Sequence, residues 1–143
     1  MLDVGGAGGT SFARIEGQRA AMREDSIGER LGSTFSGWGI PSASSILEVV
    51  AVGVPVIATG GVRNGLHAAK AISLGATAVG VAGPMLKAAL AGPEAAKREL
   101  SLFVDELRLA SQLSGCVDMR ELGKHQPVLT GHTRQWAEQR GLL

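Results

Sequence analysis

Two apolar runs separated by a helical pattern organise the middle of the chain. Val54-Pro55-Val56-Ile57-Ala58 has no polar alternation, as expected of a parallel strand covered on both faces. Thr59-Gly60-Gly61 breaks the run, and Leu66, Ala69, Ile72 and Ser73 then recur at roughly helical spacing. Asn64 stands where a side-chain oxygen accepts from an orphan helix N–H, and Gly75 stands where a C′ residue closes a helix. Ala78-Val79-Gly80-Val81-Ala82 reads as a second apolar strand running into Gly83-Pro84. The order is strand, glycine loop, helix, strand, glycine loop.

The flanking segments extend this rhythm. Met1 to Val4 is short for a strand, yet Gly5-Gly6-Ala7-Gly8-Gly9-Thr10 follows at once as a further glycine loop. Thr10 and Ser11 end it with hydroxyls that suit either a helix cap or a phosphate. Phe12, Ile15, Glu16 and Arg19 continue as a helix weakened by Gly17. Residues 23–36 are polar, contain Gly28 and Gly32, and read as a mobile excursion. Trp38-Gly39-Ile40-Pro41 is expected to re-enter the core, with Ser42 capping a helix whose apolar face is Ala43, Ile46, Leu47 and Val50. A βαβα order implies parallel strands with right-handed crossovers. Beyond the second strand, Pro84 to Leu90 is a short helix, and a longer one spans about Glu94 to Ser114. Its expected buried stripe is Leu100, Phe103, Val104, Leu107, Ala110 and Ser114. Asp118 to Leu122 adds a helical turn, and Thr133 to Arg140, with Trp136, a terminal helix.

Composition narrows the chemistry. The chain has 143 residues, 45% hydrophobic and 19% charged, which fits one globular domain. Its net charge of +1 and aromatic content of 3% give no electrostatic or stacking basis for a nucleic-acid partner. The lone Cys116 has no internal disulfide partner and fits a reducing cytoplasm. Neither a membrane-spanning run nor a signal peptide is evident, so no membrane role is expected. His67, His125 and His132 are scattered, without metal-ligand spacing. Asp3 and Glu16 flank the first glycine loop without an evident pairing, and no nucleophile elbow or Cys–His arrangement appears.

What the pattern does offer is anion binding. Glycine loops free backbone N–H groups, helix starts add partial positive charge, and Arg63 follows the glycines where a guanidinium pairs with a phosphate. Consecutive loops of this kind match the phosphate site that (β/α)₈ barrels build after strands seven and eight. The alternative is an ordinary βα turn whose glycines only make the bend. The GxGxxG fingerprint of a Rossmann site is absent. A binding surface without an evident acid, base or nucleophile suits an enzyme whose cofactor supplies the chemistry.

These residues resemble the C-terminal portion of type 2 isopentenyl-diphosphate isomerase. The resemblance rests on Asp3-Val4-Gly5-Gly6-Ala7-Gly8-Gly9-Thr10-Ser11-Phe12, on Trp38-Gly39-Ile40-Pro41-Ser42-Ala43-Ser44-Ser45-Ile46, and on Gly60-Gly61-Val62-Arg63-Asn64-Gly65-Leu66. Ala69-Lys70-Ala71, Leu74-Gly75-Ala76 and Ala82-Gly83-Pro84-Met85-Leu86 continue it in order and spacing. It implies an α/β fold, the C-terminal part of a TIM (β/α)₈ barrel, with about three parallel strands and flanking helices. Residues 1–143 would form one partial FMN-binding domain. It implies interconversion of isopentenyl and dimethylallyl diphosphate with FMN in its reduced form moving the proton. Thr10, Gly60, Gly61, Val62, Arg63, Ala82 and Gly83 would hold the FMN phosphate. Mg²⁺ and NADPH are implied too, with sites largely outside these residues. His67 departs from the family pattern, which usually has Asp in this first helical turn.

The resemblance further implies that the chain begins inside the sixth barrel strand. The Gln and Glu serving substrate and Mg²⁺, and the Lys near the flavin, belong to the earlier strands. The isolated chain is then expected to be inactive, and either to form a homo-oligomer or to associate with the missing barrel half. Other FMN barrels, of the α-hydroxy-acid oxidase or IMP-dehydrogenase kind, share the Gly-Gly loop and stand as an alternative. A non-catalytic barrel fragment that needs a partner chain is another.

Overall fold

The computed structural model describes residues 1–143. Three strands, β1 (Leu2–Gly5), β2 (Val56–Thr59) and β3 (Ala78–Val79), form one parallel sheet in the order β1-β2-β3. Leu2 lies opposite Val56, and Ile57 opposite Ala78. Eight helices accompany them: α1 (Phe12–Ala21), α2 (Ser26–Thr34), α3 (Ser42–Val50), α4 (Gly65–Ser73), α5 (Gly83–Leu90), α6 (Pro93–Leu113), α7 (Met119–Leu122) and α8 (Gly131–Arg140).

Alternation along the strands puts Val4, Val56 and Ala58 on one face, where they are buried with Ile46 of α3, Ala71 of α4 and Ala76. Val49, Val50 and Leu74 pack around this cluster. The opposite face carries Asp3 and Gly5, both exposed, and Ile57, Thr59 and Ala78, all half-buried. The expectation of a strand covered on both faces is therefore corrected. β2 is covered on one face by this chain, and Val54 and Pro55 lie exposed before it. The first strand, expected to be too short, pairs along its whole length with β2. The second apolar run forms a ladder only at Ala78 and Val79. Thr77 N–H to Val56 O (2.8 Å) and Gly80 N–H to Ala58 O (2.9 Å) extend it by one bond on each side. After Gly80 the chain turns away from the sheet toward α5.

The polar stretch expected to be mobile contains a helix. Asp25 caps α2, accepting from Gly28 N–H at 2.9 Å, and α2 packs back on α1. Gly17 and Gly32 are both buried at the crossing, where a Cβ on Gly17 would lie 3.0 Å from Gly32 Cα. These glycines permit close helix–helix approach and do not break the helices. Ser11 Oγ closes the base of the hairpin by donating to Ser36 O at 2.6 Å.

Two further expectations are corrected. Trp38 and Ile40 do not enter the core; they are 83% and 45% exposed, and Trp38 stacks edge-on against Phe35. On α6 the buried positions are Phe103 and Ser111, while Leu100 and Ser114 face solvent. Ser111 Oγ is spent on the Cys116 and Asp118 carbonyls, which lets a polar residue sit at a core position. Beneath it, Ala69, Cys116 and Leu122 form a second cluster joining α4 to the end of α6 and α7. Burial pushes the Cys116 thiol above its ordinary value, helped by the nearby Glu121 and Asp118 carboxylates. α8 is fastened to α3 by Glu48, which accepts from Trp136 Nε1 (2.9 Å) and Arg140 Nε (2.7 Å).

Candidate functional site

All three glycine loops leave the same edge of the sheet, at the C-terminal ends of parallel strands. There they line one open cavity of about 700 Å³. Thr10, Gly60, Gly61, Val62, Arg63, Ala82 and Gly83 all border it, along with Gly5, Gly6, Gly9, Thr59 and Gly80. The seven residues singled out from the sequence are thus brought together. Arg63 is the one charged side chain among the lining residues, and the nearby Asp3 carboxylate reaches the cavity only through the Thr59 hydroxyl. The guanidinium takes no part in the chain's four ion pairs.

Backbone shape creates the cavity. Gly60 and Gly61 have φ of +80° and +96°, a region that L side chains rarely enter. A Cβ on Gly61 would strike Gly8 O, and one on Gly60 would strike Gly6 O. A Cβ on Gly9 would come within 2.9 Å of Gly61 N. The β1 and β2 loops therefore lie backbone on backbone, which only glycine allows.

The two helix starts beside the cavity are treated differently. α5 begins at Gly83 with Pro84 in its first turn and no side-chain cap. Its first N–H groups and the positive end of its dipole are left for another acceptor. α4 is closed by protein groups: Asn64 Oδ1 accepts from His67 N–H at 2.8 Å, as its position in the sequence suggested. Glu106 Oε2, reaching from α6, accepts from Gly65 N–H at 2.7 Å. Glu106 was not foreseen, because its partner lies on a distant segment and a carboxylate on a helix surface gives no sign of where it reaches.

Ser42 was expected as a cap. Pro41 occupies that position instead, without a side-chain cap bond. The Ser42 hydroxyl crosses to the neighbouring loop and donates to Gly60 O. His67 Nδ1 lies 3.4 Å from Gly61 O. Thr59 Oγ1, on the cavity floor, donates to Asp3 Oδ1 at 2.7 Å. His125 and His132 are far along the chain from these loops and do not border the cavity. No group of three His, Cys, Asp or Glu side chains is placed to hold a metal ion. No helix is long and apolar enough to cross a membrane.

The fold and its loops define an α/β chain of the (β/α)₈ class, with a cavity walled by glycine loops and Arg63 at the strand C-termini. The sequence model of the FMN-dependent dehydrogenase family matches residues 39–128, and the chain belongs to that family. It is 47% identical over 140 residues to an isopentenyl-diphosphate delta-isomerase of Methanosarcina mazei, covering 98% of this chain and 38% of that protein. A protein of the same name from Methanothermobacter thermautotrophicus is 48% identical over 141 residues, with 98% and 39% covered. The chain thus spans about two fifths of the length of these curated relatives. Among solved structures, a mandelate oxidase variant with a monooxide FMN adduct superposes with TM-score 0.60 at 28% identity, covering 82% of this chain and 39% of that one. Mandelate oxidase with benzoyl-formic acid gives TM-score 0.57 at 28% identity, covering 81% and 37%. The chain is the C-terminal part of a (β/α)₈ barrel, as the resemblance implied.

Proposed function

We propose that residues 1–143 form one partial FMN-binding barrel domain, carrying the phosphate half of the flavin site of a type 2 isopentenyl-diphosphate isomerase. The observation that carries this reading is the meeting of three glycine loops, the uncapped start of α5 and Arg63 around one cavity. The cradle depends on glycine, because a Cβ on Gly9, Gly60 or Gly61 would collide with the backbone of the facing loop. N–H groups of the Gly60–Arg63 loop and of Gly83 would receive phosphate oxygens. Arg63 would add a charge-assisted bond, and Thr10 a hydroxyl. When bound in reduced form, FMN supplies the proton-transfer chemistry that no side chain here supplies. The interconversion of isopentenyl and dimethylallyl diphosphate then belongs to the whole barrel. The Mg²⁺ and NADPH that the resemblance implies are assigned to the complementary part of the barrel.

The identity of 47% to a protein named as the isomerase, against 28% to mandelate oxidase, favours this reading over a hydroxy-acid oxidase. Buried, unpaired Cys116 suits the reducing cytoplasm. The uncovered sheet face and the free edges of β1 and β3 call for association, with the complementary barrel half or with another copy. Purified chain would be assayed with reduced FMN, Mg²⁺ and isopentenyl diphosphate, alone and with the complementary part of the Methanosarcina mazei relative. No turnover alone and restored turnover in the mixture are expected. Oxidation of a 2-hydroxy acid by the mixture, without isomerisation, would favour the oxidase reading.

A further inference from the structure

We infer that Ser42 and His67 are positioning residues that aim the Gly61 and Val62 amides at the anion cavity. The inference rests on the phosphate-site reading above. It starts from the geometry of a trans peptide, in which C=O and N–H point in opposite directions, and the chain has no cis bond. Whatever holds the carbonyl of Gly60 back also turns the N–H of Gly61 forward. The same holds for the carbonyl of Gly61 and the N–H of Val62.

Both carbonyls are held from behind. Ser42 Oγ, at the start of α3, donates to Gly60 O. His67, in the first turn of α4, offers Nδ1 to Gly61 O at 3.4 Å, a bond that needs the proton on Nδ1. Ser42 and His67 line a separate hollow of about 280 Å³ on the helix side of the loop, and neither borders the 700 Å³ cavity. The neighbouring glycines sort the two sides independently. Gly8 borders the rear hollow but not the anion cavity, and a Cβ there would lie 2.6 Å from Gly60 O. Gly9 borders the anion cavity but not the rear hollow, and a Cβ there would lie 2.9 Å from Gly61 N. The carbonyl therefore faces the helices and the amide faces the anion cavity.

Without the hydroxyl, Gly60 O would keep no protein donor behind it, and the peptide would be free to rotate. Glycine dihedrals oppose such rotation weakly, so an external donor is what fixes this loop. His67 has the lesser hold, since its contact is longer.

The test is titration of the ¹⁵N-labelled chain with inorganic phosphate, read at individual amides. In the wild-type chain the Gly61, Val62 and Gly83 amides are expected to shift together. Ser42→Ala should weaken phosphate binding by about 3–10-fold, the scale of one neutral hydrogen bond, and remove the shift at Gly61 while Gly83 still responds. Ser42→Thr should restore both. His67→Ala should diminish the shift at Val62, and His67→Asn, whose amide nitrogen stands near the Nδ1 position, should restore it. Wild-type amides that ignore phosphate would overturn the site reading itself, and this inference with it. Wild-type binding, with unchanged affinity and unchanged Gly61 and Val62 shifts in Ser42→Ala and His67→Ala, would overturn the positioning role alone. If Ser42→Ala does not fold, the His67→Ala and His67→Asn pair decides.

Discussion

The Glu106 carboxylate and the Gly65 N–H meet at 2.7 Å where α6 crosses the start of α4. Gly65 is buried against α6, and a Cβ there would lie 2.5 Å from Phe103 O and 2.6 Å from Glu106 Cβ. The first turn of α4 thus receives a negative charge from a neighbouring helix, at the turn where the resemblance would have placed an Asp and His67 stands instead. Helix starts favour negative charge whichever segment brings it.

Removing that carboxylate leaves a buried N–H unsatisfied. Glu106→Ala is expected to destabilise the chain by about 1–3 kcal/mol, with Glu106→Gln recovering part of the loss because it retains an acceptor. Urea unfolding followed by circular dichroism checks both. Equal stability of all three proteins would show that water satisfies Gly65.

Gly61→Ala is expected to abolish anion binding at the cavity. The residue sits at φ +96°, and the new Cβ would collide with Gly8 O. Forced strain of this kind costs about 1–3 kcal/mol, enough to displace the β1 and β2 loops from one another. Phosphate or FMN binding at wild-type strength by this variant would mean that the loop conformation is not needed.

Arg63→Ala should weaken FMN binding by about 1.5–3 kcal/mol if the guanidinium contacts the phosphate, and leave riboflavin binding unchanged. Flavin fluorescence quenching in the complete barrel measures both. An equal loss for the two flavins would move Arg63 away from the phosphate.

The docking of α8 through Glu48 is expected to depend on pH. Hydrogen bonds from Arg140 and Trp136 hold its carboxyl below the ordinary value. A carboxyl depressed in the folded state adds stability above its unfolded value, and that stability fades as pH falls through the folded one. Acidification is therefore expected to weaken the docking of α8 on α3, which neutral and alkaline pH favour. Trp136 emission in a Trp38→Phe background reports the change. Glu48→Gln should flatten the pH dependence.

The strand–loop–helix order around Val54 to Gly83 was legible because each element there is specified locally: apolar runs, paired glycines and an Asn cap. The seven cavity residues were legible for the same reason, since a loop at a strand's C-terminal end has one direction in which to face. What escaped notice depended on distant partners. Residues 23–36, with Gly28 and Gly32, read as a mobile excursion because the contact of Gly32 with Gly17 has no local signature. Trp38 and Ile40 read as core because they are large and apolar, yet this chain provides nothing to cover them. Ser42 read as a cap, while its bond crosses to another loop. Asp25 preceding Ser26 was a usable signal for α2, since it stands at a capping position.

The register of the sheet also predicts an order of events in folding. Ile57 finds Ala78 across a single intervening helix, whereas Leu2 finds Val56 only after the α1–α2 hairpin and α3 have been spanned. Closing the longer segment costs more chain entropy and contributes to slower folding. The unit from β2 through α4 to β3 is then expected to form first, with β1 docking last. Because the backbone of Gly6 to Gly9 is what completes the cradle around Gly60 and Gly61, a ligand that needs all three loops would meet its site only after that last strand has docked. Slow recovery of binding behind fast recovery of helix content would be its kinetic mark.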